Sequence, residues 1–352
     1  MRVVVVGSGL AGVTLAGALP AHEVTLVTAE AQGYYSRPRL SHGVALDDAA
    51  AAKIVMKPYA ALGVKVLAET HAALIDRERQ QLVLDGGAAL DYDILVLATG
   101  SASRIPPALA TWHAHFLTLN SFEDLLRLRH RRAQALARGK RPHWAVIGGG
   151  LIGCELASDL RKAGDEVTIF HREKRLIELQ LAERQSQALH EHFAAQGITV
   201  LYEQDVRAAF AGSVQTPARD YGPFDGIIVS TGFAPRVELA RDAGLAVARG
   251  IVVNEYLATA DPAIYALGDV AEIGGKLYPF VSPIRAQALW LAEHLQAKTA
   301  APWQPPAFKP VIKVHGFKPD QPERGEALTA QAKSAAPIAS GTSAPKPPRA
   351  SA

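Results

Sequence analysis

Short runs of β-branched and aliphatic residues recur along this chain, and two of them break directly into glycine-rich turns. The first run is Val3 to Val6 and the second is Ala145 to Ile147. Apolar runs of this length, without polar alternation, are typical of strands buried on both faces of a parallel sheet. Small and apolar residues that can continue as a helix follow each turn. The pattern therefore predicts two strand–turn–helix units.

The remaining pattern predicts further strands and helices around these two units. Strands are expected at residues 24–27, 93–97, 166–170, 198–202, 250–254 and 264–267, and within 223–232. Residues 64–84 alternate loosely, with Asp76 to Arg79 as a hairpin turn. Helices are expected at residues 123–141, 155–162 and 181–196. A last helix is predicted to run to residue 296, with Ser282 as its N-cap and Pro283 as its first residue.

The glycines after the two apolar runs have the spacing of a dinucleotide-binding fingerprint. They are Gly7, Gly9 and Gly12 in the first unit, and Gly148, Gly150 and Gly153 in the second. The first glycine permits a tight turn, the second lets the backbone approach a pyrophosphate, and the third lets the helix pack close to the strand. Glu30 follows the next strand and is well placed to accept a hydrogen bond from a ribose hydroxyl. Two such units predict two bound dinucleotides that exchange electrons.

The composition is that of a two-domain cytoplasmic enzyme. The 352 residues are 49% hydrophobic, and a net charge of +3 gives no global argument for binding nucleic acid or a membrane. No apolar run reaches transmembrane length, and the first strand starts at residue 2, which leaves no room for a signal peptide. Cys154 is the only cysteine, so an internal disulfide or a CxxC redox pair is excluded. Its position predicts a small buried packing residue.

Histidine spacing gives little support for a metal site. His113 and His115 would share one face of a strand, and His190 and His192 would diverge on a helix. No third ligand is in view for either pair, so no metal site is predicted.

Several motifs stand in the order seen in FAD-dependent pyridine nucleotide reductases. They are Tyr35-Ser-Arg-Pro-x-Leu-Ser, Ala98-Thr-Gly, Gly148-Gly-Gly-Leu-Ile-Gly-Cys-Glu155, Ile264-Tyr-Ala-Leu-Gly-Asp269 and Pro279-Phe280. The chain most resembles the rubredoxin and flavorubredoxin reductases of bacteria, from residue 1 to about residue 315. The resemblance implies an α/β fold with two Rossmann-like dinucleotide-binding folds, one for FAD and one for NAD(P)H.

The resemblance also implies roles for individual residues. Arg37 and Glu155 are expected to be catalytic, with Arg37 and Pro38 beside the isoalloxazine and Glu155 paired with Arg37. The other residues expected to hold FAD are Gly7, Gly9, Leu10, Ala11, Gly12, Glu30, Thr99, Gly100, Arg104, Gly268, Asp269 and Val281. Those expected to hold the nicotinamide dinucleotide are Gly148, Gly150, Leu151, Ile152, Gly153, Arg172 and Gly232. The start of the last helix is expected to direct its positive dipole end at the flavin edge where charge develops on reduction.

A division into domains follows from the two fingerprints and the change of composition near the end. Residues 1–104 and 233–298 are expected to form the FAD-binding domain, and residues 105–232 the NAD(P)H-binding domain. Residues 299–318 resemble the start of a third, interface-forming domain. Residues 319–352 are rich in Ala, Pro, Ser and Lys and are predicted to be a disordered tail, because they have too few apolar residues to fold.

The predicted function is an NAD(P)H-dependent reductase that passes electrons through FAD to a one-electron carrier. Rubredoxin, or the rubredoxin part of a nitric oxide-reducing flavorubredoxin, is the favoured acceptor. One alternative is a ferredoxin reductase serving an oxygenase, and another is a non-turnover redox sensor or inactive remnant. Without a cysteine pair, disulfide reductase activity is not expected.

Two clusters of positive charge bear on the donor and the acceptor. His171, Arg172, Lys174 and Arg175 follow the strand after the second fingerprint, where a 2′-phosphate would favour cations, but Glu173 keeps NADH possible. NADH and NADPH therefore both stay open. Arginines and lysines at residues 127–141, including Arg131 and Arg132, are a candidate docking surface for a small acidic iron protein.

Overall fold

The computed structural model describes residues 1–319, and two parallel sheets organise them. The first sheet has five strands, in the spatial order Ile264–Ala266, Ile94–Leu97, Arg2–Val6, Glu23–Val27 and Lys65–Leu67. Val3 to Val6 lie at its centre and are buried, as the apolar run predicts. The chain first adds strands on one side of Arg2–Val6 and then crosses to the other side. This crossing creates a switch point, where open α/β sheets bind their ligands.

The second sheet repeats this arrangement with four parallel strands. Their spatial order is Ile198–Leu201, Glu166–Phe170, His143–Ile147 and Gly226–Val229. The strand that precedes the second fingerprint again lies beside the switch point. The two sheets confirm the predicted pair of Rossmann-like folds.

Seven α-helices and five 3₁₀-helices lie in the described part of the chain. The α-helices are α1 (Leu10–Gly17), α2 (Asp48–Ala52), α3 (Phe122–Ala137), α4 (Leu151–Lys162), α5 (Glu183–Ala195), α6 (Glu238–Asp242) and α7 (Val281–Leu295). The 3₁₀-helices are Arg37–Arg39, Ser41–Gly43, Tyr59–Ala61, Pro107–His115 and Gly268–Val270. None of the helices within residues 1–319 has the length and apolarity needed to cross a membrane.

Smaller sheets complete the fold and connect its two halves. Three of them are three-stranded: Ala72–Asp76, Gln81–Leu84 and Ala89–Asp91; Ala208–Phe210, Ser213–Gln215 and Asp220–Tyr221; Ile251–Val253, Ala271–Ile273 and Lys276–Leu277. The other two pair Tyr34–Tyr35 with Val55–Lys57 and Ser101–Ser103 with Phe233–Pro235. In the last pair, the strand by which the chain leaves the first fold lies beside the strand by which it returns. The predicted domain division at residues 104 and 233 stays a prediction.

Several predicted element ends are wrong. Helix α7 begins at Val281 with Phe280 as its N-cap, so Ser282 makes no capping hydrogen bond and Pro283 lies inside the first turn. Proline is tolerated there because the first N–H groups of a helix have no partner within it. Helix α3 ends at Ala137 rather than at residue 141, and α4 begins at Leu151 rather than at residue 155. Helix α5 is shorter than predicted by two residues at its start and one at its end. His113 and His115 lie in a 3₁₀-helix and not in a strand.

Residues 299–319 contain no helix or strand, but part of this segment packs on the second fold. Val314 is buried, and Ile312 and Phe317 pack on the apolar core that includes Leu156 and Leu189. The proposed C-terminal remnant is therefore a packed strap in the described part of the chain. The predicted disordered tail lies outside the described residues, apart from Pro319.

Arg132, one of the arginines in the predicted docking surface at residues 127–141, has a structural role. Its guanidinium makes a bidentate ion pair with Asp165, at 2.8 and 2.9 Å, and also donates to the Ala163 carbonyl. Asp165 is almost fully buried and accepts a third hydrogen bond from the Trp144 indole. The side chain of Arg131, in contrast, is exposed.

We expect Arg132→Glu to lower the free energy of unfolding by about 3–5 kcal/mol, because it removes one partner of a buried ion pair and leaves Asp165 unpaired. Urea unfolding of the FAD-loaded protein measures this loss. Arg131→Glu is the matched control and should change stability by less than about 0.5 kcal/mol, as for an exposed site. Equal losses in the two variants would contradict the structural role of Arg132.

Candidate functional site

One large cleft lies at the carboxyl ends of the strands of both parallel sheets. Its volume of ≈ 2990 Å³ exceeds the roughly 300–1,000 Å³ of a pocket for one small molecule. The two residues expected to be catalytic and all those expected to hold FAD or the nicotinamide dinucleotide line this cleft, except Gly12 and Gly153. The two fingerprints thus face a common space, as the transfer of electrons between two dinucleotides requires.

Gly12 and Gly153 lie beneath the cleft wall, where their lack of a side chain lets helix and strand pack closely. A Cβ atom on Gly12 would lie 1.9 Å from the carbonyl oxygen of Gly7, and one on Gly153 would lie 1.9 Å from that of Gly148. Gly7 and Gly148 have φ angles of +115° and +114°, which L side chains rarely adopt. The first and third glycines of both fingerprints are therefore required by the backbone itself.

The N-termini of α1 and α4 open into the cleft, and no side chain of either helix start neutralises their partial positive charge. Gly9 and Gly150 are the N-cap residues, neither helix has a side-chain cap, and neither has an acidic residue in its first turn. Unpaired N–H groups and the positive end of the helix dipole attract anions at such positions. Both helix starts fit the diphosphate of a dinucleotide.

Arg37 contacts the acid of the first fold rather than that of the second. Its Nη2 donates to Glu30 Oε1 at 2.7 Å, and its Nε donates to the Asn120 carbonyl at 3.0 Å. The predicted pairing of Arg37 with Glu155 is therefore wrong. A Cβ on Gly9 would lie 3.1 Å from Arg37 Nη1, which places the guanidinium beside the start of α1.

Glu155 is paired instead with Lys313, a residue that the sequence analysis did not select. The Lys313 backbone N–H donates to Glu155 Oε1 at 2.9 Å, and Lys313 Nζ lies 3.9 Å from Glu155 Oε2. The same Nζ donates to the Pro38 carbonyl at 2.9 Å. Burial raises the pKa of Glu155, and the charge of Lys313 opposes this effect. Lys313 thus joins Pro38 of the first fold to α4 of the second.

Asp269 offers a carboxylate to the cleft from the 3₁₀-helix after the strand Ile264–Ala266. Ser101 Oγ donates to Asp269 Oδ2 at 2.7 Å. Burial raises the pKa of this carboxyl, while the Ser101 hydrogen bond lowers it. Each carboxylate oxygen has more than one lone pair, so Asp269 can accept further hydrogen bonds. It therefore fits a ligand that carries hydroxyl groups, such as the ribityl chain of FAD.

Gly268, the residue before this carboxylate, is held by a hydrogen bond to α7. The Gly268 N–H donates to the buried Gln287 Oε1 at 2.7 Å, which fixes the turn against α7. Helix α7 begins at Val281 at the cleft wall and has no side-chain cap. Its N-terminus, like those of α1 and α4, is thus free to face a ligand with negative charge.

Only part of the basic cluster after the second fingerprint is available to a ligand. His171 is buried, its Nδ1 accepts the Gly149 N–H at 3.0 Å, and its Nε2 lies 2.9 Å from the Arg175 carbonyl. The Arg175 guanidinium donates to the Leu181 and Glu178 carbonyls. Arg172 is exposed and forms a 3.0 Å ion pair with Glu173.

The expectation that four basic side chains surround the 2′-position is therefore wrong for His171 and Arg175. Both side chains bond to the backbone of the surrounding loop. Arg172 and Glu173 line the cleft, whereas Lys174 does not.

Cys154 is buried in α4, as predicted, and its Sγ lies 3.3 Å from the Gly149 carbonyl. Burial raises the pKa of this thiol well above its usual value. A thiol in this state is a poor nucleophile. Cys154 therefore packs the second fold, and the cleft is built without a reactive thiol from the described residues.

Residues 1–292 match the pyridine nucleotide-disulphide oxidoreductase family. A curated relative, the nitric oxide reductase FlRd-NAD(+) reductase of Pectobacterium atrosepticum, is 35% identical over 315 residues, which are 86% of this chain and 81% of that protein. The crystal structure of the ferredoxin reductase for the CYP199A2 system from Rhodopseudomonas palustris aligns with a TM-score of 0.78 and 28% identity, over 86% of this chain and 78% of that one. The NADH:rubredoxin oxidoreductase of Clostridium acetobutylicum aligns with a TM-score of 0.73 and 25% identity, over 90% and 80% of the two chains.

The match extends over both parallel sheets and their fingerprints, and so over the whole of the cleft wall that carries the predicted residues. It agrees with the open helix starts and with the partly buried carboxylate of Asp269. The chain therefore belongs to the pyridine nucleotide-disulphide oxidoreductase family and is an FAD-dependent NAD(P)H oxidoreductase.

Proposed function

We propose that this protein transfers electrons from NADH through FAD to a one-electron iron carrier of the rubredoxin type. The observation that carries the proposal is the shared cleft, which brings two dinucleotide-binding fingerprints together while the only cysteine is buried outside it. When bound, FAD accepts two electrons as a hydride and can release them singly. With no thiol to relay them, the electrons must leave from the flavin itself.

The residues of the cleft divide this task between the two folds. The α1 start and Arg37 hold the diphosphate of FAD, and Asp269 accepts hydrogen bonds from its sugar-like chain. The α4 start holds the diphosphate of the nicotinamide dinucleotide. Lys313 and Glu155 order the junction, since they connect Pro38 of the first fold with α4 of the second. These roles rest on the hydrogen bonds and helix ends described above.

Rubredoxin, or a rubredoxin-like part of a flavorubredoxin, is the favoured acceptor because a relative that is 35% identical is a flavorubredoxin-NAD(+) reductase. A second candidate is a ferredoxin, supported by the alignment with a ferredoxin reductase at a TM-score of 0.78. Both are small soluble carriers, and we propose that the reaction takes place in the cytoplasm. The buried thiol and the absence of a disulfide suit a reducing compartment.

Carrier-dependent oxidation of NADH separates the two candidates. Under anaerobic conditions, the FAD-loaded protein is mixed with NADH and with either a rubredoxin or a [2Fe–2S] ferredoxin, and carrier bleaching is followed. We expect kcat/KM for rubredoxin to exceed that for ferredoxin by at least tenfold. A higher value for ferredoxin would favour the second candidate. Reduction of neither carrier, with normal FAD content, would favour a redox sensor.

NADH is proposed as the donor because Glu173 places a carboxylate beside Arg172 in the cleft. Arg172 is therefore partly neutralised, and the carboxylate repels a 2′-phosphate. Relatives named as NAD(+) reductases support the same choice.

We expect Glu173→Gln to shift the ratio of kcat/KM for NADPH over NADH by about tenfold toward NADPH. The change removes the repulsive charge and frees Arg172 for a charge-assisted bond worth about 1.5–3 kcal/mol. Initial rates with both nucleotides measure the ratio. Glu203→Gln, at an exposed acid that lies outside the cleft, is the control and should leave the ratio unchanged. An unchanged ratio in Glu173→Gln would show that its carboxylate does not face the 2′-position.

The predicted docking role of residues 127–141 stays a prediction. None of the arginines at 127–141 lines the cleft. Because Arg132 supports the fold, Arg131→Glu rather than Arg132→Glu tests docking without loss of stability.

A further inference from the structure

A cluster of two histidines and one aspartate lies outside the residues assigned to the reaction. His42 Nδ1 lies 3.1 Å from the Asp159 carboxylate, and His315 Nε2 lies 2.6 Å from Asp159 Oδ1. One ligand atom from each residue lies within 4.8 Å of the other two. The three residues are far apart in the sequence: His42 lies in the 3₁₀-helix Ser41–Gly43, Asp159 in α4 and His315 in the C-terminal strap.

Asp159 has the features of a group placed to bind a ligand. Its side chain is only 6% exposed, yet Oδ2 accepts no hydrogen bond. A buried carboxylate oxygen without a donor carries a desolvation cost, unless a cation or a further donor occupies the adjacent space. His42 Nδ1 lies 3.1 Å from this oxygen, and His315 Nε2 lies 2.6 Å from Oδ1 of the same carboxylate. His and Asp are frequent ligands of zinc.

The backbone around the cluster is well fixed. The His315 N–H donates to Ser158 Oγ at 2.9 Å, and the His315 carbonyl accepts from His192 Nε2 at 2.8 Å. The side chains of His42 and His315 are 36% and 33% exposed. The cluster is therefore held by buried contacts on one side and open to an ion from solvent on the other.

We propose that His42, Asp159 and His315 bind one divalent transition-metal ion of the zinc class, with water as the fourth ligand. Zinc–ligand distances of about 2.0–2.2 Å place the ligand atoms of a tetrahedral site about 3.3 Å apart. The separation of 3.1 Å between His42 Nδ1 and Asp159 Oδ2 is near this value, whereas His315 Nε2, at 2.6 Å from Asp159 Oδ1, would move outward to admit the ion. Rotation of two partly exposed imidazoles closes the remaining distance between the histidines.

Such an ion would hold the C-terminal strap against the two dinucleotide-binding folds. Residues 308–313 of the strap line the cleft, and Lys313 contacts both Glu155 and Pro38. His315 is the next anchor along the chain and binds α4 through Asp159. The ion would therefore stabilise the position of Lys313 without touching FAD or the nicotinamide.

Zinc binding to the untagged, FAD-loaded protein tests the proposal directly. The metal-free protein is titrated with Zn²⁺ against a chromophoric chelator, and bound zinc is counted by elemental analysis after desalting. We expect one zinc per chain, with micromolar or tighter affinity. His42→Ala and His315→Ala should each weaken binding by at least tenfold, because even the loss of an outer-shell partner commonly costs 10–100-fold.

The controls distinguish a specific zinc site from nonspecific binding of zinc by surface histidines. His113→Ala, in the 3₁₀-helix Pro107–His115, should bind zinc as the wild type does. Flavin absorbance and unfolding midpoint without zinc check that each variant is folded. Zinc should raise the unfolding temperature of the wild type and of His113→Ala, but not of the two cluster variants. Equal binding by all four proteins, or no retained zinc in the wild type, would overturn the proposal.

Discussion

Asp269→Ala is expected to yield a largely colourless protein. The alanine removes the partly buried carboxylate that lines the cleft beside Ser101, and with it the acceptor for the sugar-like chain of FAD. Hydrogen bonds to a charged group contribute about 1.5–3 kcal/mol, so the dissociation constant for FAD should rise by roughly tenfold to more than a hundredfold. The ratio of flavin absorbance to protein absorbance after gel filtration measures the retained cofactor.

Two further variants make this result specific to the carboxylate. Asp269→Asn keeps an acceptor oxygen and should retain more FAD than Asp269→Ala. Asp220→Ala changes an exposed aspartate in a small sheet and should retain FAD as the wild type does. Full FAD occupancy in Asp269→Ala would contradict the placement of the cofactor at this carboxylate.

Gly150→Leu should prevent reduction by NADH while leaving FAD in place. A Cβ atom on Gly150 would meet no atom within 4 Å, so the fold itself tolerates a side chain there. The leucine would, however, project into the cleft at the start of α4, where the proposed diphosphate approaches the backbone. Loss of two charge-assisted hydrogen bonds, at about 1.5–3 kcal/mol each, predicts at least a hundredfold fall in kcat/KM for NADH.

Stopped-flow reduction with NADH measures the effect, and dithionite reduction checks that the flavin is still accessible. Gly17→Leu is the matched control, because Gly17 is exposed at the end of α1 and a Cβ there also meets nothing within 4 Å. It should reduce as fast as the wild type. If Gly150→Leu also reduced at the wild-type rate, the nicotinamide dinucleotide would bind elsewhere.

The parts of the site that were predicted from sequence are those with a local signature. Gly12 and Gly153 are constrained by contacts within a single strand–turn–helix unit, and Gly7 and Gly148 by their own positive φ angles. The apolar run at Val3 to Val6 predicted a buried central strand for the same reason, since burial on both faces leaves no polar alternation. Features of the backbone that depend on neighbouring residues can therefore be predicted from the sequence.

The contacts that were missed join residues far apart along the chain. The predicted site contains more than one carboxylate, and only the folded arrangement pairs Arg37 with Glu30 rather than with Glu155. Lys313 reaches Glu155 from a strap with no helix or strand, which no periodicity could locate. Arg132 and Arg131 are adjacent in one basic run, yet the helix directs one of them to a buried aspartate. These outcomes depend on tertiary packing rather than on pattern.

Anaerobic stopped-flow mixing of the FAD-loaded protein with NADH, followed by addition of rubredoxin, tests the central claim most directly. We expect the flavin absorbance to bleach in one phase whose rate saturates with NADH, and then to recover as two equivalents of rubredoxin are reduced for each flavin. This stoichiometry follows from a two-electron donor and a one-electron acceptor. A flavin that stays yellow after excess NADH, or a reduced flavin that fails to reduce rubredoxin or any ferredoxin, would contradict electron transfer through this cleft.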